Sequence, residues 1–396
     1  MRECGTMSIP IKLIAMIIQD SNFIDTFFLL LRSGLYGTPI PEPHLPEEID
    51  WRMIIGLAEK HCVLGTIIES IPMLPERLRP SDSTIAKMNK YAIGLIQTNM
   101  ILDRTVAHLV KALREHDING VLLKGQGIAR VYRKAELRQS GDIDFYVGKR
   151  AYKYARKICK QYLIKDMSTY MENPQHFVFM LDGVRIEIHR IASRIYSPRY
   201  SRKFQKWIVE QLEHSSVCRT VTLDDTPVAI PPLDFDTIFI FHHAWRHYIM
   251  GGVGLRQLCD WAMIFHNYAD EMDRPRLIEN IQRFGMTTGW KIFACIAVKY
   301  LGVPEEKMPL YDPSLSKKSD KLFEEIISGG NFGYYSNAGL RVKKDKTSVV
   351  YGLGKLRNIT EYFLSLFPLL PVEATCLYVS RLYEGTIAWI KRPRRK

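Results

Sequence analysis

Two aspartates, Asp142 and Asp144, stand two positions apart inside an apolar run that predicts a β-strand. Because side chains alternate between the two faces of a strand, both carboxylates lie on one face, while Ile143 and Phe145 point into a core. Adjacent carboxylates repel each other unless a positive charge lies between them. A divalent cation is the usual solution, and hard oxygen ligands favour Mg²⁺ or Mn²⁺. The pair therefore predicts a metal site, against the alternative of an exposed polar strand face.

A third acid follows downstream. Residues 177–181 and 184–189 form two β-like runs joined by Asp182 and Gly183, a strong signal for a two-residue hairpin. In the second run Glu187 lies on the polar face, as outward glutamates of many strands do. If this strand lies beside the aspartate strand, Glu187 completes a cluster of three carboxylates. Such a cluster suits two-metal phosphoryl or nucleotidyl transfer.

A candidate phosphate-binding segment precedes the aspartates. A short apolar strand ends at Lys124 and is followed by the turn residues Gly125, Gln126 and Gly127. Glycine lets backbone amides approach a phosphate closely, and a lysine adds a point charge. Arg138, just before the aspartate strand, is either a bidentate phosphate ligand or one more surface arginine. The residues alone leave both readings of Arg138 open.

The pattern of these motifs resembles a known family. Leu-Lys-Gly, then Arg-x-x-Gly-Asp-Ile-Asp, then Ile-Glu-Ile-His is similar to the nucleotidyltransferase superfamily that includes DNA polymerase β. More narrowly, it resembles the family of uncharacterised nucleotidyltransferases, over roughly residues 50 to 270. Two departures stand out: Gly-Gln-Gly replaces the usual Gly-Ser, which removes a hydroxyl contact to phosphate, and the third acid is Glu rather than Asp.

The resemblance implies a fold and an activity. The fold is α/β (α+β), a small mixed sheet flanked by helical N- and C-terminal segments. The activity is metal-dependent transfer of a nucleoside monophosphate from an NTP to a hydroxyl, with Mg²⁺ or Mn²⁺ as cofactor. Asp142 and Asp144 would bridge the metals, Glu187 would bind the ion that activates the acceptor, and Lys124 with its glycine turn would hold the triphosphate.

The composition indicates the class of protein but does not identify the acceptor of the nucleotidyl group. The 396 residues are 46% apolar and 24% charged, as in ordinary globular proteins of two or three units. The net charge of +13 implies attraction to anions such as NTP, RNA or an anionic membrane. Seven scattered cysteines indicate reduced thiols and a cytoplasmic location. The apolar stretch 9–18 is too short to span a membrane and lacks a signal-cleavage site.

Proline and glycine clusters suggest a division of the chain. Amphipathic helices are predicted at 101–114, 149–162, 234–248 and 255–267. The predicted units are a helical N-terminal region (1–100), a nucleotidyltransferase core (101–230), a helical domain (231–327), a linker (328–348) and an apolar C-terminal segment with a basic tail (349–396).

A group of histidines on the predicted helix 234–248 admits more than one interpretation. His243 and His247 lie one helical turn apart beside His242, which suggests zinc, but no glutamate completes a peptidase motif. Buried helix histidines are the ordinary interpretation, and contact of one of them with the nucleotide is a second. Arg256 and Asp260, also one turn apart, predict a helix salt bridge.

The acceptor stays undetermined among RNA, protein, glycan and small molecule. The basic stripe of helix 149–162 is either a solvated face or a landing surface for an anionic acceptor beside the active site. A different class of function is an inactive nucleotidyltransferase fold that binds RNA or protein. A third is a membrane-peripheral enzyme that modifies a glycan or lipid-linked acceptor, with the cationic tail 391–396 on anionic lipid.

Overall fold

The computed structural model describes residues 20–213, 218–331, 349–368 and 370–390. The apolar stretch 9–18, most of the predicted linker 328–348 and the basic tail 391–396 lie outside these described residues. Within them, every helix is too short or too polar to cross a lipid bilayer.

A mixed β-sheet occupies the middle of the chain, as predicted. Its strands lie in the order β1-β2-β5-β4-β3. Strands β2 and β5 are parallel, and the other neighbouring pairs are antiparallel. The strands are β1 (Val121–Leu123), β2 (Asp142–Tyr146), β3 (Met171–Glu172), β4 (His176–Leu181) and β5 (Val184–His189). A second antiparallel pair, β6 (Arg219–Leu223) and β7 (Thr226–Ile230), was not anticipated from the sequence.

Helices surround the sheet on both sides in sequence, which agrees with the predicted mixed fold. Helix α4 (Asp82–Arg114) contains the predicted helix 101–114 and begins earlier in the chain, so that it has 33 residues. The helices are α1 (Ser21–Tyr36), α2 (Trp51–Lys60), α3 (Leu64–Ser70), α4 (Asp82–Arg114), α5 (Gly125–Ala129), α6 (Gly148–Ile158), α7 (Pro198–Leu212), α8 (Leu233–Ile249), α9 (Leu255–Tyr268), α10 (Arg274–Arg283), α11 (Thr287–Lys299), α12 (Ser316–Gly329), α13 (Val349–Leu366) and α14 (Pro371–Ile390).

The hairpin between β4 and β5 forms as its turn residues predict. Asp182 and Gly183 both have positive φ, 50° and 78°, as the tight turn of a two-residue hairpin requires. Leu181 pairs with Val184, and this register continues to the pair of His176 and His189. The turn therefore determines which side chains of β4 stand opposite those of β5.

The sheet separates two hydrophobic cores. Ile143 and Phe145 belong to the smaller core, which includes the apolar stripe of α4 and the buried side of α6. Tyr146, from the other face of β2, belongs to the larger core. The larger core joins α1 to α3 with α7 to α12 and parts of α13 and α14. The N-terminal region and the region 231–327 thus share one core, and the five-part division of the chain stays a prediction.

This layering corrects one expectation. Helix α6, which carries the basic stripe, packs on the face of the sheet that holds Ile143 and Phe145. Because Asp142 and Asp144 project from the opposite face, the stripe does not lie beside them. The idea of a landing surface next to the active site is therefore wrong in its placement. One arginine of the stripe, Arg156, is engaged with a glutamate of β3.

Candidate active site

Three carboxylates project from neighbouring strands into one cavity. Asp144 on β2 pairs in register with Glu187 on β5, so the two strands lie side by side as anticipated. Asp142 precedes Asp144 by two positions and shares its face. All three line a cavity of about 280 Å³ between the sheet and helices α8 and α9. The predicted juxtaposition of the acids is present.

A lysine ammonium lies against the middle carboxylate. Lys124 directly follows β1, whose last residue, Leu123, pairs with Asp144. Its Nζ lies 2.7 Å from Asp144 Oδ2. The backbone of Lys124 has φ of 55°, which is uncommon for a residue with a side chain and costs about 1–3 kcal/mol. The chain holds this conformation where it leaves the strand, and it aims the ammonium at the acids.

Electrostatic surroundings separate the two aspartates. Burial alone would raise the pKa of Asp144, but Lys124 and His189 outweigh it and hold that pKa well below its usual range. Asp142 lines the same cavity, where the surrounding protein displaces part of its water. There the loss of water and the neighbouring charge of Asp144 raise its pKa. The two aspartates therefore differ in how strongly the protein stabilises their carboxylate charge.

The glycine turn contributes less to the cavity than expected. Lys124 and Gly125 line it, but Gln126 and Gly127 do not. The Gln126 side chain is buried and donates to Asp103 on α4. The Gly127 amide donates to the carbonyl of Lys124 within the helical turn, at 2.9 Å. Gln126 and Gly127 thus serve the packing of α5 outside the cavity, and phosphate binding by the lysine-glycine turn stays a prediction.

Arg138 is buried in an ion pair instead of lying on the surface. Its Nε and Nη2 each lie 2.7 Å from one carboxylate oxygen of Asp260 on α9, and its Nη1 donates to Ser140. Tyr132 donates a further hydrogen bond to Asp260. The interpretation as a surface arginine is wrong. The phosphate contact stays a prediction for a guanidinium whose nitrogens already have protein partners.

The predicted helix pair of Arg256 and Asp260 does not form. Asp260 is taken by Arg138, and Arg256 Nη1 instead donates to the carbonyl of Gln139 at 2.6 Å. Asp260 pairs with Arg138, from the loop before β2, and not with Arg256, its neighbour on the helix. The buried pairing satisfies the hydrogen-bonding groups of both Arg138 and Asp260 inside the protein. Arg256 is thereby left at the cavity wall.

The histidines of α8 divide between core and cavity. His242 is buried, and its Nδ1 lies 3.3 Å from Ser193 Oγ, as the interpretation of buried helix histidines expects. His243 and His247 line the cavity with Arg246. Burial, followed by the nearby Lys124, lowers the pKa of His243 well below its usual value and that of His247 to about 3. Both imidazoles are neutral at physiological pH, and contact with a nucleotide stays a prediction.

Some cavity residues were missed or undervalued from the sequence. His189 is buried, and its Nε2 lies 2.8 Å from Asp144 Oδ1. His176, on the adjacent strand, was overlooked, although the hairpin register places it opposite His189. Arg246 reaches the cavity from α8, and only the three-dimensional packing of that helix reveals its position.

The mixed sheet with its row of acids beside a lysine-glycine turn defines a nucleotidyltransferase-type domain. Residues 47–302 match the family of uncharacterised nucleotidyltransferases, and the chain belongs to this family. All the acids and cations of the cavity fall within the matched residues. No curated protein and no solved structure matches the chain.

Proposed function

We propose that this chain transfers a nucleoside monophosphate from an NTP to a hydroxyl of an acceptor. The observation that carries the proposal is the register of Asp144 with Glu187, which puts three carboxylates on one wall of a cavity whose other wall is cationic. Family membership supports nucleotidyl transfer in general. On the helical wall Arg246 and Arg256 supply positive charge that suits a triphosphate.

The donor set fits a divalent cation. Carboxylate oxygens are the ligands that Mg²⁺ and Mn²⁺ prefer. Burial and then the charge of Asp144 raise the pKa of Asp142, so a cation beside this carboxylate would be stabilising. The ammonium of Lys124, 2.7 Å from Asp144, already occupies a position where these acids accept a cation. Asp142, Asp144 and Glu187 would hold the ion. Bound there, it would supply charge neutralisation for the leaving pyrophosphate and a lower pKa for the acceptor hydroxyl.

The protein's own groups orient and screen the reactants. Lys124 can turn from Asp144 to a phosphate oxygen once the carboxylate has another cation. Arg246 and Arg256 bind the far phosphates, which places the α-phosphorus toward the acids. The acceptor hydroxyl gives up its proton to solvent and its oxygen bonds to the α-phosphorus, the bond from the α-phosphorus to the bridging oxygen breaks, and pyrophosphate leaves. Neutral His243 and His247 line the cavity without adding charge.

The test combines binding with turnover. Calorimetry with an NTP analogue should show binding with Mg²⁺ and much weaker binding with chelator, and bound nucleotide should raise the melting temperature. Labelled NTPs with candidate RNA, protein, glycan and small-molecule acceptors should give labelled product with wild type and none with Asp142→Asn. The matched control is Asp225→Asn, an exposed aspartate in the turn between β6 and β7. An active Asp142→Asn enzyme would refute the proposal.

The same experiment distinguishes the alternative of an inactive binding module. That alternative expects nucleotide, RNA or protein binding with no labelled product for any acceptor, and no change in binding with chelator. Equal nucleotide affinity with and without metal would show that the three carboxylates are not part of the nucleotide-binding site.

A peripheral membrane location is a second proposal, and one observation favours it. The hairpin of α13 and α14 exposes large apolar side chains, among them Leu364, Val379 and Tyr383, at 61%, 58% and 67%. The basic tail 391–396 follows this hairpin in the sequence. Apolar contact with cationic attraction is the combination that holds proteins on anionic lipid. We propose that the protein is located in the cytoplasm and contacts the membrane from that side. The free cysteines of the described residues are in line with this location.

A further inference from the structure

Two histidines and one carboxylate converge at the edge of the cavity. His176 lies on β4, and Glu187 and His189 lie on β5, all on the cavity side of the sheet. One ligand atom from each of the three lies within 4.8 Å of the others. Their side chains are 21%, 14% and 9% exposed, so water reaches them only partly. This set differs from the three carboxylates in donor chemistry and shares only Glu187 with them.

The contacts of the two imidazoles with Glu187 are longer than hydrogen bonds. His176 Nε2 lies 3.5 Å and His189 Nε2 lies 3.6 Å from the same oxygen, Glu187 Oε2. A hydrogen bond between nitrogen and oxygen needs about 2.7–3.2 Å. Two donors that bind one zinc ion tetrahedrally at about 2.0–2.1 Å stand about 3.3 Å apart. The spacing of both nitrogens from the shared oxygen is therefore close to that of ligands around one ion.

Neighbouring residues prepare the donor atoms. Arg185 Nη2 lies 2.9 Å from Glu187 Oε1, which leaves Oε2 to face the imidazoles. Asn173 Nδ2 lies 2.9 Å from His176 Nε2. Because an amide nitrogen only donates, this contact makes Nε2 the unprotonated nitrogen of His176, and a metal ion would replace the Asn173 amide at its lone pair. The hairpin turn fixes the register of β4 against β5, so the ligands sit on a rigid frame.

We propose that His176, Glu187 and His189 bind a first-row transition-metal cation, with Zn²⁺ as the ion that this donor set fits best. Two imidazoles and one carboxylate with room for water are a recurrent zinc arrangement, whereas Mg²⁺ prefers oxygen ligands alone. The site lies beside the proposed nucleotide metals, because His189 Nε2 donates to Asp144 Oδ1 at 2.8 Å. A metal ion on this nitrogen would displace its proton and take the place of that hydrogen bond.

Zinc at this site would compete with the oxygen-ligand cluster for Glu187. Zn²⁺ bound through Glu187 Oε2 and the two imidazoles removes that carboxylate from the row it forms with Asp142 and Asp144. This consequence rests on the proposed function, and it predicts that Zn²⁺ inhibits Mg²⁺-dependent transfer. Zinc binding itself needs neither nucleotide nor turnover.

The test measures Zn²⁺ binding to the full chain by calorimetry in the absence of nucleotide. Wild type should bind one equivalent. His176→Gln and His189→Gln should each weaken binding by at least about tenfold, since even the loss of outer-sphere partners has an effect of that size. Asp142→Asn, which removes only an oxygen ligand of the other cluster, and His44→Gln, at an exposed position, should bind Zn²⁺ like wild type.

X-ray absorption spectroscopy of the zinc-loaded wild type covers the case in which a variant misfolds. Scattering from two imidazole ligands supports the site, and a spectrum without imidazole overturns it. Equal Zn²⁺ affinity of wild type and folded His176→Gln also overturns it. Failure of nucleotidyl transfer leaves these readouts unchanged, while Zn²⁺ affinity lost in Asp142→Asn would assign the ion to the carboxylates instead.

Discussion

Replacement of Arg138 by methionine should destabilise the protein strongly. The ion pair with Asp260 is buried, with side chains 4% and 6% exposed, and two nitrogens of the guanidinium each lie 2.7 Å from a carboxylate oxygen. Arg138→Met keeps an apolar stem of similar length but leaves the Asp260 charge inside without its partner. Breaking a buried pair in this way costs about 3–5 kcal/mol of the free energy of unfolding.

The double variant Arg138→Met with Asp260→Asn separates the ion pair from the loss of packing. The amide introduced at position 260 can still accept the hydrogen bond that Tyr132 donates at 2.7 Å. Because neither charge remains, the double variant should lose less stability than the sum of the two single variants. A difference of up to about 3 kcal/mol is the range measured for directly contacting residues.

Urea unfolding followed by tryptophan fluorescence gives the free energy of unfolding for each variant. The control is Arg130→Met, which removes a more exposed pair with Asp103 and should cost less than about 1 kcal/mol. A loss below about 1 kcal/mol for Arg138→Met, or strict additivity in the double variant, would refute the structural role. Unchanged stability together with weakened nucleotide binding would instead establish Arg138 as a phosphate ligand.

Three further outcomes are expected. In urea unfolding without metal, Asp142→Asn should be as stable as wild type or more stable, because it removes repulsion between carboxylates. Asp144→Asn should be less stable than wild type, because Lys124 loses its partner. The reverse order of stabilities would contradict this expectation. Burial raises the pKa of Glu69 to about 7, so the contribution of this carboxyl to the free energy of unfolding should fall as pH rises from about 4.5 to 7. In a pH series Glu69→Gln should remove this contribution, so the difference in stability between wild type and variant should change across that range; parallel wild-type and variant curves would count against it. Deletion of residues 391–396 should weaken sedimentation with anionic vesicles without lowering turnover on a soluble acceptor, whereas a salt-sensitive loss of RNA affinity would point to RNA, and no change in either assay would leave the tail as a solvated end.

Local rules were sufficient for the elements that carry the acids. Alternation along β2 predicts that Asp142 and Asp144 share a face, and the Asp182–Gly183 turn predicts the β4–β5 hairpin; both are observed. Helices α8 and α9 begin and end within one residue of the prediction, because a proline pair precedes the first and a glycine run separates them. These features depend on sequence neighbours, and a single sequence contains them.

Contacts between distant segments were beyond the same rules. Arg138 and Asp260 stand far apart in sequence, so helical spacing favoured Arg256, one turn from Asp260, as the partner. The sequence around Asp260 does not indicate that a buried arginine from a distant loop competes for its carboxylate. Likewise, the separation of the basic stripe from the acids follows from which face of the sheet α6 covers, and this depends on packing with α4.

The two cores also imply an order of folding during synthesis. The smaller core draws on residues from Leu102 to Ile230, so its contacts can form once the middle of the chain has left the ribosome. In the larger core Phe28 on α1 packs against Tyr300 and Phe323, so the apolar faces of the first helices wait for partners that are made much later. Domains generally fold as units in the order of synthesis, and waiting apolar surface invites aggregation. The N-terminal helices, though made first, therefore complete their packing only after the middle of the chain has been made.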